Sequence, residues 1–209
     1  MEFLDLTLLV NWLGLAGIAV FAVSGALDAA RNEMDILGFM LIGTVTGLGG
    51  GTARDLLLGR SPVYWVEEPI YVGICLVVTT ITYFVVPYIA SRTRALVWMD
   101  ALGISLFCVT GTQIAHGLGV SPLISVCMGV MTATFGGITR DVLCRESLML
   151  GQRELYVTTT VLGASVYLLL QWLSLPQYIA VLGGFSTAFA LRSAAILFDL
   201  RLPSYHTSK

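Results

Sequence analysis

The sequence is poor in charge. Only 11% of its 209 residues are charged and 56% are hydrophobic, whereas soluble domains carry about 25% charged residues. This excludes an ordinary water-soluble globule and predicts an all-α membrane protein with several spans. A transmembrane β-barrel would show segments of about ten residues that alternate in polarity, and the apolar runs here are continuous. The net charge of −2 and the lack of a basic tract give no sign of a nucleic-acid partner.

The chain also lacks the groupings that mark catalytic or metal sites. Its four cysteines are scattered without a C-x-x-C pair, and we expect buried free thiols. The two histidines, His116 and His206, lie far apart in sequence. No pairing of a nucleophile with a base is evident. The sequence therefore predicts a protein that is not an enzyme and has no metal site or cofactor.

Positive charge is missing from the first eleven residues, which contain Glu2 and Asp5. A secretory signal peptide begins with basic residues. We therefore expect the first apolar segment to be retained as a membrane span.

Seven apolar segments follow one another with short connections. Their starts carry helix signals, such as a capping residue at Asp35 and a first-turn proline at Pro122. The predicted spans are about 10–30, 36–58, 69–89, 95–116, 122–144, 154–173 and 177–198.

The basic residues predict the orientation of the spans. With the N-terminus outside, all but Arg54 and Arg60 of the eleven basic residues fall on the cytoplasmic side. The positive-inside rule therefore favours an outer N-terminus and a cytoplasmic C-terminus. The cytoplasmic residues in this arrangement are Arg31, Arg92, Arg94, Arg140, Arg145, Arg153, Arg192, Arg201 and Lys209.

One short motif occurs twice. Gly-Gly-Gly-Thr-Ala-Arg-Asp at 49–55 is followed 86 positions later by Phe-Gly-Gly-Ile-Thr-Arg-Asp at 135–141. Sliding the chain by 86 aligns the first three spans with the next three. Three is an odd number, so the second copy enters the membrane from the opposite face, and such inverted repeats place their site near the midplane. The predicted units are a first three-helix repeat at 10–89, an inverted second repeat at 95–173, a seventh helix at 177–198 and a cytoplasmic tail at 199–209.

The glycines of the motif predict a bend in the second and fifth spans. Gly49, Gly50 and Gly51 lie in the second span, and Gly136 and Gly137 lie in the fifth. Glycine in a helix interior costs about 1 kcal/mol relative to alanine. A bend would free carbonyls of the preceding turn, which are good ligands for a dehydrated alkali cation. Thr46 and Thr132 precede the two bends.

The same glycines allow a second interpretation. Small residues at Gly43, Gly47 and Gly50 have a spacing typical of closely packed membrane helices. Three glycines in a row before Arg-Asp, matched in a second copy, favour the bend.

The charged pairs of the motif are costly in a bilayer unless they face protein or water. Arg54 and Asp55 are adjacent and point about 100° apart on a helix, so we expect pairing across the repeats, Arg54 with Asp141 and Arg140 with Asp55. These four residues either line a polar path or form a buried ionic latch, and the sequence leaves both open.

Two further acids lie in or near the apolar segments. Asp28 ends the first segment, and we expect it to be interfacial and solvated. Asp100 lies inside the start of the fourth segment and is a candidate for the path or for pairing with an arginine.

The two motifs, within seven spans and a three-plus-three inverted repeat, resemble those of the trimeric intracellular cation (TRIC) channels. The match to Gly-Gly-Gly-Thr-x-Arg-Asp and Gly-Gly-x-x-Arg-Asp is closest to the prokaryotic branch, whose repeat is also described as a glycine-transporter domain. The resemblance covers about residues 10–198. It implies a homotrimer in the inner membrane with one pore per protomer, lined by kinked second and fifth helices and passing K⁺ and, less selectively, Na⁺. Phe135 replaces the first glycine of the second triplet, which implies a stiffer bend or an aromatic plug.

Two other functions remain open from the residues alone. A secondary transporter could bind the carboxylate of glycine or a similar small zwitterion at the N-termini of half-helices, near Thr52 and Ile138. A purely structural membrane subunit is the third possibility, although it has no use for two buried Arg-Asp pairs.

Overall fold

The structure is a computed structural model that describes residues 2–145 and 155–200, with side chains described from residue 12 onward. The expected tail at 199–209 falls almost wholly outside these residues, as do Arg153, Arg201 and Lys209. A single 3-10 turn, Val86–Tyr88, extends the fourth helix. The α-helices in the described ranges are α1 (Glu2–Arg31), α2 (Ile36–Leu57), α3 (Tyr64–Glu67), α4 (Ile70–Val85), α5 (Arg92–Gly117), α6 (Pro122–Leu143), α7 (Val157–Trp172) and α8 (Gln177–Phe198).

Six of the described helical segments are long and apolar enough to cross a membrane. They belong to α1, α2, α4, α5, α6 and α8. α7 is shorter: its 16 residues reach about 24 Å at 1.5 Å per residue, whereas the hydrocarbon core is about 30 Å thick. The predicted all-helical membrane fold is therefore confirmed, with six clear spans and a shorter seventh helix.

Local sequence signals set the helix starts. The Asp35 carboxylate accepts a hydrogen bond from the Gly38 N–H at 2.8 Å, which caps α2 as predicted. Pro122 is the first residue of α6, where its missing N–H costs nothing. The side chain of Ser121 accepts from the Ile124 N–H and caps the same helix.

α1 and α5 pack against each other at the centre of the molecule. α2 and α4 pack on α1, and α6 and α7 pack on α5 in the same way. The two three-helix groups also meet along α2 and α6, while α8 packs on α5 and α7. This arrangement buries polar groups of α1 and α5 that a lone span would expose to lipid.

Helical structure is continuous at the glycines where a bend is predicted, and the bend itself stays a prediction. α2 continues through Gly49–Gly51, and α6 continues through Gly136 and Gly137, so neither span divides into two half-helices. Backbone carbonyls before the glycines therefore stay within a continuous helix. The close approach of a second helix, described next, explains the glycines without an interruption.

Candidate functional site

α2 and α6 cross at their glycines. A Cβ on Gly50 would overlap the carbonyl oxygen of Thr132, and a Cβ on Gly136 would overlap the carbonyl oxygen of Thr46. The two contacts are related by the 86-residue shift and run in opposite directions along the helices, so the crossing is antiparallel. At these two positions the close-packing interpretation of the glycines is correct.

The hydroxyls at the crossing bond to their own helices. Thr46 donates to the Ile42 carbonyl at 2.6 Å, and Thr132 donates to the Met128 carbonyl at 2.6 Å. Such back-bonding satisfies the hydroxyl hydrogen in an apolar span. The Thr46 hydroxyl lies against Gly25 of α1, and the Thr132 hydroxyl lies against Gly111 of α5.

α1 and α5 repeat this reciprocal packing one layer away. Phe107 lies over Gly17, and Phe21 lies over Gly103. The two rings are 5.0 Å apart between centroids. Both pairs again differ by 86 positions. The helix contacts at the centre of the molecule therefore show a local two-fold relation.

The first charged pair lies at one end of this crossing. Arg54 donates from Nε and Nη2 to Oδ1 of Asp55 at 2.9 and 2.7 Å. The other carboxylate oxygen accepts from the Tyr64 N–H at 3.0 Å. Arg54 also lies 5.7 Å from the centre of the Tyr64 ring. The short helix α3 therefore packs against the Arg54–Asp55 pair. Trp65 holds α3 to α2 by donating a hydrogen bond to Thr52 at 2.9 Å.

The second charged pair lies at the opposite end. Arg140 donates from Nε and Nη2 to Oδ1 of Asp141 at 2.9 and 2.8 Å. Its Nη1 donates to Ser24 Oγ at 2.6 Å and to Asp100 Oδ1 at 3.0 Å. Asp28 lies 3.7 Å from its Nε. Arg140 is fully buried, so these carboxylates offset the cost of removing its charge from water.

Three expectations about the charges can now be assessed. The predicted pairing across the repeats is wrong, because each arginine curls back to the aspartate that follows it. The arginine stem is long enough to turn through the 100° that separates adjacent helix positions. Asp28 is buried rather than solvated, since α1 packs against α6 at this point. Asp100, predicted to line the path or to pair with an arginine, lies 3.0 Å from Nη1 of Arg140.

A cavity of about 240 Å³ opens beside Arg54. It has room for several water molecules. It begins at charged residues on the α3 side and ends at Thr132, next to the helix crossing. The lining residues on which the argument depends are Gly14, Arg54, Tyr64, Thr110, Ile114 and Thr132.

A second cavity of about 440 Å³ opens near the C-terminal end of α1, but no residue of the Arg140 cluster lines it. The sequence accounts for the difference between the surroundings of Arg54 and those of Arg140. Three residues that line the open cavity are small or uncharged, whereas two of their counterparts 86 positions away are acids that hold Arg140. A cavity therefore opens beside Arg54, whereas carboxylates pack around Arg140. The matched positions are Gly14 and Asp100, Ser24 and Thr110, and Asp28 and Ile114.

The remaining predicted residues surround these features. Gly51 lies against the Tyr64 ring, and Gly137 lies near the Tyr156 hydroxyl. Gly49 has room for a Cβ, whose nearest neighbour would be the Gly136 Cα at 3.7 Å. Phe135 is 38% exposed, so its ring faces outward from the protomer and does not plug the centre.

Sequence reasoning missed two tyrosines. Tyr64 contacts Arg54, and Tyr156 contacts Arg192, whose guanidinium lies 5.1 Å from the ring centre. Burial raises the pKa of both phenols, so both are neutral. Both precede or lie in connections between spans, and only three-dimensional proximity links them to the charged pairs. Within the described ranges, no group of three or more His, Cys, Asp or Glu side chains is placed to hold a metal ion.

Comparisons with known proteins agree with this architecture. A family model described as "Glycine transporter" matches residues 11–87 and again residues 97–172. The chain is 38% identical over 203 residues to the UPF0126 inner membrane protein YadS of Escherichia coli, covering 95% of this chain and 97% of that protein.

Solved structures match over nearly the whole chain. A TRIC trimeric intracellular cation channel orthologue from Rhodobacter sphaeroides superposes with a TM-score of 0.90 at 49% identity, covering 92% of this chain and 99% of that one. A structure described in terms of conductance through TRIC cation channels gives a TM-score of 0.85 at 31% identity, covering 95% and 98%. Given these matches in sequence and fold, the chain belongs to the glycine-transporter-type family of membrane proteins that includes the prokaryotic TRIC channels.

Proposed function

We propose that this protein is a monovalent cation channel that passes K⁺ and, less selectively, Na⁺ through a path within each protomer. The observation that carries the proposal is the cavity beside Arg54, which reaches Thr132 at the α2–α6 crossing inside a single chain. A polar cavity at that depth is a feature of conduction or substrate sites in membrane proteins.

The path would run from this cavity across the helix crossing towards Arg140. The crossing offers the oxygen atoms of Thr46 and Thr132, whose hydroxyl hydrogens are already engaged. Oxygen lone pairs with no competing donor favour cations over anions. The glycine-rich second and fifth spans, α2 and α6, would therefore line the path. The proposal includes a kink in both helices at their glycines.

The inverted repeat is also part of the proposal. Two features support it: the family model matches the chain twice, and each three-helix group makes the same internal contacts. Units at 10–89 and 95–173, with 177–198 outside them, fit both features.

The proposed oligomeric state and cellular location are based on the proteins to which the chain is similar. The matching structures are of channels named as trimeric, and the similar Escherichia coli protein is named as an inner membrane protein. We therefore propose a homotrimer in the inner membrane. The basic residues favour an outer N-terminus, and in that orientation the Arg54 cavity would face outward and the Arg140 cluster would face the cytoplasm.

A secondary transporter for glycine or a similar small zwitterion is the second candidate. The description of the matching family model favours it. The open cavity also presents both signs of charge, with Arg54 and Arg60 opposite Glu67 and Glu68. In this alternative the same cavity would be a substrate site and the two repeats would move against each other.

Flux through purified protein in liposomes separates the two candidates. One set of vesicles receives a K⁺ gradient and a second set receives labelled glycine. A channel gives K⁺ flux that collapses the gradient without saturating. Saturable glycine accumulation with no K⁺ flux would replace the channel with the transporter.

A further inference from the structure

The cluster around Arg140 holds more acid than the equivalent cluster around Arg54. Arg140 lies within 4.0 Å of three carboxylates, those of Asp28, Asp100 and Asp141. Arg54 has only Asp55 at that distance among the described residues. The extra acids are Asp28 and Asp100, whose counterparts 86 positions away are Ile114 and Gly14.

In two of these carboxylates, one oxygen atom has no hydrogen-bond donor among the described residues. Oδ2 of Asp28 and Oδ2 of Asp100 are buried without a hydrogen-bond donor in the described ranges, while the Cys144 thiol neighbours the Asp28 carboxylate and the Tyr156 hydroxyl neighbours that of Asp100. A buried carboxylate oxygen without a donor is costly, so native proteins rarely keep one without a function. Asp28 Oδ2 faces the guanidinium at 3.7 Å from Nε, beyond hydrogen-bond distance.

The ligand atoms around the guanidinium are the kind that alkali cations prefer. Asp28 and Asp100 contribute carboxylate oxygens, and Ser24 contributes a hydroxyl oxygen 2.6 Å from Arg140 Nη1. Hard oxygen ligands with net negative charge suit Na⁺ and K⁺ as well as they suit a guanidinium.

The position of the cluster also matters. Ser24, Asp28 and Asp100 correspond, at a distance of 86 positions, to Thr110, Ile114 and Gly14, and those three line the open cavity. By the local two-fold relation, the guanidinium of Arg140 fills the space that corresponds to the cavity at the other end.

We propose that Asp28, Asp100 and Ser24 form a binding site for a monovalent alkali cation, and that the guanidinium of Arg140 occupies it as a tethered competitor. This binding site does not depend on the proposed function, and it can be tested without flux.

The test compares the melting temperature of purified Arg140→Gln in KCl with that in N-methyl-D-glucamine chloride of the same ionic strength. Glutamine removes the tethered charge and leaves the acids exposed to added cation. K⁺ should raise the melting temperature of this variant by about 3–5 °C at a concentration about ten times its dissociation constant. Arg140→Lys, which keeps a tethered cation, should not respond.

Arg54→Gln is the matched control because it removes the equivalent arginine from the end that lacks the extra acids. Wild-type protein and Arg54→Gln should show no K⁺-specific stabilisation. If Arg140→Gln does not fold, Arg140→Gln/Asp28→Asn keeps the net charge of the cluster and retains Asp100 and Ser24, and K⁺ should still stabilise it.

A melting temperature that is the same in both salts for the Arg140→Gln protein, or for the double variant in its place, would overturn the site. Equal stabilisation of wild type and Arg54→Gln would overturn it too. The channel proposal fails separately, if liposomes with wild-type protein carry no K⁺ flux while Arg140→Gln still binds K⁺.

Discussion

Replacing Gly50 with alanine tests the close crossing of α2 and α6. The new Cβ would overlap the Thr132 carbonyl oxygen, and a backbone atom cannot move aside by changing rotamer. Overpacking of this kind costs about 1–3 kcal/mol, while alanine regains up to about 1 kcal/mol of helix propensity. The net loss is then about 1–2 kcal/mol, or about 2–8 °C in melting temperature for a chain of this length.

The assay is thermal unfolding of purified protein, followed by circular dichroism. Gly73→Ala on α4 is the matched control, since a Cβ there meets nothing within 4 Å, and it should leave the melting temperature unchanged or raise it. Gly136→Ala should behave like Gly50→Ala because it meets the Thr46 carbonyl. If Gly50→Ala and Gly73→Ala shift the melting temperature equally, the helices do not cross as closely as described.

Three further changes probe the charged ends and the outer surface. Arg54→Ala should destabilise the protein by about 3 kcal/mol in chemical unfolding, because it leaves the buried Asp55 with only the more distant Arg60 at 3.6 Å. Arg54→Ala/Asp55→Asn should recover part of the loss, and equal stability of the single and double variants would contradict the pairing. Gly14→Asp should fold, as a Cβ at this position meets nothing within 4 Å, and should reduce K⁺ flux in liposomes by placing an acid beside Arg54, as Asp100 lies beside Arg140; unchanged flux would count against the equivalence of the two ends. Phe135→Ala should leave K⁺ flux per protomer within about twofold of wild type, since the ring faces outward, and loss of flux would restore the aromatic plug.

The spans could be predicted from the sequence because their signals are local. Long apolar runs, the Asp35 cap and the first-turn proline at Pro122 define helix bounds without reference to neighbours. The four-residue helix α3 was missed, since it is too short to show a periodic pattern. Its aromatic residues reach the Arg54 pair only through the fold.

The pairing of the charges depended on information that the sequence does not contain. Adjacent Arg and Asp point apart at their Cβ atoms, yet the long arginine side chain returns to its neighbour once packing excludes water. The burial of Asp28 likewise depends on where α6 crosses α1. The 86-residue alignment already pairs Gly14 with Asp100. Only the structure shows the consequence, since Gly14 lines the cavity beside Arg54 while Asp100 binds Arg140.

The most direct test of a cation path through the protomer is K⁺ flux before and after chemical modification of a cysteine in the cavity. Thr110→Cys places the thiol on the cavity wall, in a Cys127→Ala background because Cys127 is exposed. Leu123→Cys, on the outer face of α6, is the matched control. A cationic, membrane-impermeant thiol reagent should abolish K⁺ flux in Thr110→Cys and leave it unchanged in Leu123→Cys. Full modification of Thr110→Cys, verified by mass spectrometry, with undiminished K⁺ flux would contradict a path through this cavity.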